Sequence, residues 1–97
     1  HSQLIKGTPD GAFDRIFTGT PSFDATKLND YDRFTIVNTH PTNKLVFRTE
    51  TSLAGSGIER NATINPTNDI TLTNEGDSTT LEKRADGKLY QIAYYTN

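Results

Sequence analysis

The chain is 97 residues long, with 10 Lys+Arg against 12 Asp+Glu, a formal net charge of -2, and no Cys, Met or Trp. A single domain of this length buries only about 60–65% of its unfolded surface, and with 32% hydrophobic residues a lone copy has a thin core that a partner subunit would help to fill. Disulfide frameworks, thiol chemistry and zinc sites of the usual Cys/His type are excluded, because His1 and His40 are the only histidines. Charges of both signs are scattered and no basic cluster could neutralise a row of phosphates, so nucleic acid is not an expected partner. The longest apolar run, Ile92-Ala93-Tyr94-Tyr95, is far shorter than the ~20 residues that cross a bilayer, and no membrane insertion is expected.

In chain order, His1-Ser2 has the form of a cloning remnant, which leaves 3–97 as a single β domain expected to be a fragment of a larger protein or a processed product. Absence of Cys suits a protein that must survive outside cells. Thr supplies 16 residues, and β-branched residues fit a pleated surface. Strands are expected at Arg15 to Thr18, Arg33 to Asn38, Lys44 to Thr49, Arg60 to Asn65, Ile70 to Thr73, Ser78 to Arg84 and Lys88 to Tyr95. Between them lie turn clusters such as Thr39-His40-Pro41-Thr42-Asn43, Asn65-Pro66-Thr67-Asn68 and Asn74-Glu75-Gly76-Asp77. The pattern predicts an all-β fold, a small antiparallel β-sandwich or barrel of about seven short strands with a C-terminal β-hairpin. Asp24 to Leu28 could add one helical turn.

The side-chain period puts Phe34 and Ile36 inward, with Leu45 to Phe47 returning after a five-residue turn, and Ile64, Ile70 and Leu72 extending that core. Asp86-Gly87 suits a two-residue type I′ turn, which pairs Ala85 with Lys88 and sets Leu81 opposite Ile92, Lys83 opposite Tyr90, Glu82 opposite Gln91 and Thr79 opposite Tyr94. A three-residue turn would set Leu81 opposite Gln91 and Lys83 opposite Leu89, mixing apolar and polar faces, so the shorter loop is preferred. Tyr90, Ile92 and Tyr94 then face the core, while Leu89, Ala93 and Tyr95 point away. A last strand with two apolar faces is buried twice or contacts a partner.

Candidate chemistry is sparse. Asp30 and Asp32 are neighbours in Asn29-Asp30-Tyr31-Asp32, where acid/base work or a calcium site can be imagined. Asp and Asn build turns unaided, however, and the EF-hand spacing is absent, so a turn is the better reading. His40 precedes Pro41 in a polar turn, with no Gly-x-Ser-x-Gly motif to make a nucleophile for it. Gly55-Ser56-Gly57 lacks the Lys and the following helix of a phosphate cradle and reads as a flexible loop. Asn61-Ala62-Thr63 matches the glycosylation triplet, a frequent coincidence in a chain rich in Asn and Thr. No catalytic residue, metal or cofactor is expected. Tyr rings stack on sugar faces, and Tyr31 with Asp30 and Asp32 could present a ring and acceptors to a glycan.

The segments Asp32-Arg33-Phe34-Thr35-Ile36-Val37-Asn38 and Ile70-Thr71-Leu72-Thr73-Asn74-Glu75-Gly76-Asp77-Ser78-Thr79-Thr80-Leu81, followed by Ala85-Asp86-Gly87-Lys88-Leu89-Tyr90, resemble small β domains of phage virion proteins, the tail-fibre, spike and capsid-decoration modules. The resemblance runs from about Asp32 to Tyr95 and is one of strand and turn residues rather than of catalytic ones. Many such modules carry Trp just after the Asp-Gly turn, where this chain has Leu89-Tyr90. The resemblance implies a non-enzymatic structural module of a virus particle, in the virion or outside cells. It is commonly a trimer, and its partners would be copies of itself, other virion proteins and a host-surface glycan. The expected subunit contact is Leu89, Ala93 and Tyr95. A carbohydrate-binding or adhesin module is the second expectation.

Overall fold

The structure, a computed structural model, describes residues 28–97 in full and the backbone of two earlier segments, Ser2–Gly7 and Ala12–Phe13. The strand expected at Arg15 to Thr18 and the helical turn from Asp24 lie outside these residues, apart from Leu28. Every regular element described is a strand: β1 (Ser2–Gly7), β2 (Ala12–Phe13), β3 (Arg33–Asn38), β4 (Leu45–Phe47), β5 (Ile58–Glu59), β6 (Ile70–Leu72), β7 (Ser78–Lys83) and β8 (Leu89–Tyr95). They form two sheets, one in the order β1-β3-β7-β8-β5 and one in the order β2-β4-β6, and among the described residues neither closes into a barrel. The pairing is mixed rather than antiparallel throughout: β1–β3, β2–β4 and β5–β8 are parallel, while β3–β7, β4–β6 and β7–β8 are antiparallel.

Alternation in β3 turns Phe34 and Ile36 inward, where they are 0% and 1% exposed. Leu45 and Phe47 of β4, and Ile70 and Leu72 of β6, do the same from the smaller sheet. These side chains form one core with Ile58, Leu81 and Leu89, so the core draws on both sheets. Each such side chain contributes about 1.5–3 kcal/mol when fully buried.

β3 does not form a hairpin with β4, as the short turn between them suggests, but passes from one sheet to the other. Asn38 makes that corner. Its buried side chain donates to the carbonyls of Asn43 (2.9 Å) and Leu72 (2.8 Å), and its Oδ1 accepts the His40 N–H (2.9 Å). His40 completes the turn, its Nδ1 accepting the N–H groups of Thr42 and Asn43.

The strand expected at Arg60 to Asn65 is a turn, and the neighbouring strand is β5 instead. Asn61 Oδ1 accepts the Thr63 N–H, and the Asn61 carbonyl accepts the N–H of Ile64 and of Asn65. Local side-chain acceptors beside Pro66 outweigh the β-branched Thr63 and Ile64. Ile64 accordingly lies at the surface, 37% exposed, rather than in the core.

The closing hairpin takes the three-residue turn. Arg84 and Lys88 bracket Ala85-Asp86-Gly87, with Arg84 N–H donating to the Lys88 carbonyl and Gly87 N–H to the Arg84 carbonyl. Gly87 alone takes a left-handed conformation, φ 84°, which is cheaper than the two positive φ values of a type I′ turn. Leu81 therefore faces Gln91, Glu82 faces Tyr90 and Lys83 faces Leu89. A shift at Thr80/Leu81 restores Thr79 opposite Tyr94 and leaves Ile92 as the extra residue of a β-bulge. Because the bulge resets the alternation, Leu89 and Gln91 turn inward before it and Tyr94 packs against the core after it.

The amide of Gln91 is accommodated rather than merely tolerated. Its Nε2 donates to Thr79 Oγ1 (3.2 Å), and its Oε1 accepts the Asn61 N–H (3.0 Å) and Asn65 Nδ2 (3.3 Å). Among the described residues no buried side-chain polar atom lacks a partner, as a low-dielectric interior demands.

Candidate functional site

Three surface regions carry the residues of interest. The first is the turn before β3. Asp32 Oδ2 accepts the Asn29 N–H (3.0 Å) and the Asp32 N–H returns to the Asn29 carbonyl (3.1 Å), the self-capped turn expected of these residues. Tyr31 N–H donates to the Lys83 carbonyl (2.6 Å) and Lys83 N–H to the Asp32 carbonyl (2.9 Å), which prolongs the β3–β7 ladder beyond its last strand residue. Tyr31 is thereby held at a φ of 69°, and the residue is 64% exposed. A bulky residue at positive φ is unusual and costs energy. Asp30 is exposed beside it.

The second is the far half of β8. β5 pairs with β8 only at Leu89 and Tyr90, so from Gln91 onward β8 has β7 on one side and no further strand on the other among the described residues. Ala93 and Tyr95 point outward there, Tyr95 being 58% exposed. Leu89, expected with them, is 0% exposed in the core: the bulge places it on the opposite face, so an outward patch contains Ala93 and Tyr95 without it.

The third lies at the other end of the same outward face. Glu82, its side chain only 8% exposed, accepts Arg33 Nε (2.8 Å) and Arg84 Nε (2.9 Å), and the two guanidinium groups hold its carboxyl below the ordinary glutamate range. The Arg84 guanidinium sits 4.4 Å from the centre of the Tyr90 ring, a cation–π contact. Tyr90 hydroxyl donates to Asp86, which raises the phenol's pKa and lowers that of the carboxyl. Next to this stack is an open depression of about 460 Å³ lined by Arg60, Asn61, Arg84, Tyr90, Gln91 and Ile92. Arg60 Nη1 donates to the carbonyls of Asn65 (2.8 Å) and Thr67 (3.2 Å), which fixes its long side chain.

Nothing in the composition singles out Arg60 and Arg84. The available signal is the three-residue turn, which brings Glu82 across from Tyr90 and sets Arg84 beside both. The Gly55-Ser56-Gly57 loop, for its part, folds over a carboxylate of the chain itself: Glu50 accepts the N–H groups of Gly55 (3.0 Å) and Gly57 (2.6 Å), and those bonds lower its pKa. Among the described residues no group of three or more His, Cys, Asp or Glu is placed to hold a metal ion, and no helix is long and apolar enough to cross a membrane.

No protein-family model matches the chain, and neither a curated protein nor a solved structure matches it.

Proposed function

We propose that this chain is a non-enzymatic structural module of a virus particle, a fibre, spike or capsid-decorating domain whose two sheets face each other as a small β-sandwich, and that it works by association with copies of itself, as a trimer. The observation that carries the reading is the far half of β8, which among the described residues has a strand on one side only and turns Ala93 and Tyr95 outward. An open strand edge with an exposed aromatic invites pairing with another chain unless something blunts it, and closed rotational symmetry is the usual result. The virion assignment itself rests on the resemblance of the strand and turn residues from Asp32 to Tyr95. Sedimentation equilibrium is expected to give three times the chain mass, and Tyr95→Ala to weaken the assembly. A mass of one chain across the micromolar range would overturn self-association.

A second reading, a carbohydrate-binding or adhesin module facing a host-surface glycan, is favoured by Tyr31, whose exposed ring is held in a strained backbone conformation by the Lys83 carbonyl. Rigid, exposed aromatic rings stack on sugar faces. A glycan array is expected to give a signal that Tyr31→Ala removes, and an array without hits counts against this reading.

A further inference from the structure

We propose that the depression between the Asn61 turn and the start of β8 is a binding site for a carboxylate-bearing sugar, with the Arg84 and Arg60 guanidinium groups taking the carboxylate. The inference is independent of self-association and uses none of its residues.

Among the described residues, the site presents donors with no acceptor facing them. Arg84 uses Nε for Glu82, and its two terminal nitrogens have no partner among the described residues. Arg60 commits Nη1 to two backbone carbonyls, leaving Nη2 and Nε. Asn61 spends Oδ1 on the Thr63 N–H, so its Nδ2 is a third open donor. The lining contains two arginines and no acidic residue. Glu82 and Asp86 are nearby, but Glu82 is shared between Arg33 and Arg84 and Asp86 is engaged by Tyr90 hydroxyl and the Lys88 N–H. Glu59, across from Tyr90, is a third carboxylate and is paired with Lys88 (3.0 Å), so Arg33, Arg60, Arg84 and Lys88 against Glu59, Glu82 and Asp86 leave the neighbourhood with one net positive charge.

Converging N–H donors select an anion, and a planar fork of guanidinium nitrogens matches a carboxylate in particular. The other walls are Ile92, half-buried, and the Tyr90 ring, which suit the C–H face of a pyranose. The volume, about 460 Å³, falls within the range of about 300–1,000 Å³ typical of small-molecule sites. Both arginines are already fixed, Arg84 by Glu82 and the Tyr90 ring, Arg60 by two carbonyls, so little side-chain freedom is lost on binding.

The test is titration of the isotopically labelled chain with glucuronic acid, followed by amide and arginine side-chain NMR. Parallel titrations use glucose and inorganic sulfate. Glucuronic acid is expected to move Asn61, Arg84, Tyr90 and Ile92, and glucose to leave them in place. Arg84→Gln and, separately, Arg60→Gln should each weaken binding about tenfold, equivalent to about 1.4 kcal/mol, with Lys44→Gln, a charge removed elsewhere on the surface, as the control. Arg60 bonds to the Asn65 and Thr67 carbonyls and not to Glu82, so its variant keeps the test valid should Arg84→Gln disturb the sheet. Equal shifts with glucose, or none with glucuronic acid, would overturn the site. Equal shifts with sulfate would overturn its assignment to a sugar.

Discussion

Leu81 lies directly opposite Gln91 in the β7–β8 ladder, and both side chains are turned into the core, 0% and 3% exposed. An amide in that position is stable only because Thr79, Asn61 and Asn65 meet every polar atom it brings. Replacing it by an apolar residue of similar size strands those partners. Gln91→Leu is expected to cost about 1–3 kcal/mol, read as a lower urea midpoint with an unchanged slope. An unaltered midpoint would mean that the three partners find water instead.

Two backbone positions should respond oppositely to glycine chemistry. Gly87 sits at φ 84° with open space where a Cβ would project, so Gly87→Ala carries the backbone cost of about 1–2 kcal/mol, offset in part by about 0.4–1 kcal/mol from the stiffer unfolded chain, a net loss. Tyr31, at φ 69° and 64% exposed, has little packing to lose. Tyr31→Gly relieves a similar strain, less about 0.4–1 kcal/mol for the freer unfolded chain, and is expected to leave the melting temperature unchanged or raised. A clear fall would show that the ring packs against the fold.

Acid sensitivity should concentrate on Glu82. Its carboxyl is held below its ordinary value near 4.5 by bonds to Arg33 and Arg84, so the native state binds its proton less readily than the unfolded state does. Its stabilising contribution is therefore complete above about pH 4.5 and disappears as the pH falls through the lowered folded value. Urea midpoints measured from pH 7 downward should drop below about pH 4.5, and Glu82→Gln should flatten that drop while lowering stability at pH 7. A curve for the Glu82→Gln variant that runs parallel to the wild-type curve would assign the acid response to other carboxylates.

In the core, Phe47 is 0% exposed and pairs through the backbone with Ile70. Phe47→Ala is expected to remove about 3–5 kcal/mol, enough to unfold a chain of this size at moderate temperature. Circular dichroism at 25 °C would register it, and a cooperative melt close to that of the wild type would place Phe47 outside the core.

The all-β character and the inward residues of β3, β4 and β6 were legible because an unbroken period of two reports which face is buried: Phe34, Ile36, Leu45, Phe47, Ile70 and Leu72 all follow it. The closing hairpin was legible too, but its register was not, for the same reason. Leu89 and Tyr94 both turn inward although they are five apart, which only a bulge permits, and a bulge leaves no residue signature as plain as Asp-Gly leaves for the turn. Ile64 misled through its β preference, which a capping Asn61 and Pro66 overrode. The turn at Asn29 to Asp32 was readable from composition, whereas Arg60 and Arg84 come together through pairing over a long separation that no local pattern encodes.

Asn38 belongs to the larger sheet, yet its side chain holds the carbonyl of Leu72 in the smaller one, and its own backbone exchanges bonds with Asp77 and Gly76 at the entrance to β7. Peeling either sheet away would leave that amide and that carbonyl dry and unmatched at the same instant. The two layers are in this sense riveted at one corner: slippage between them is penalised before any apolar contact is lost, and a pulling force would meet one break rather than a gradual unzipping.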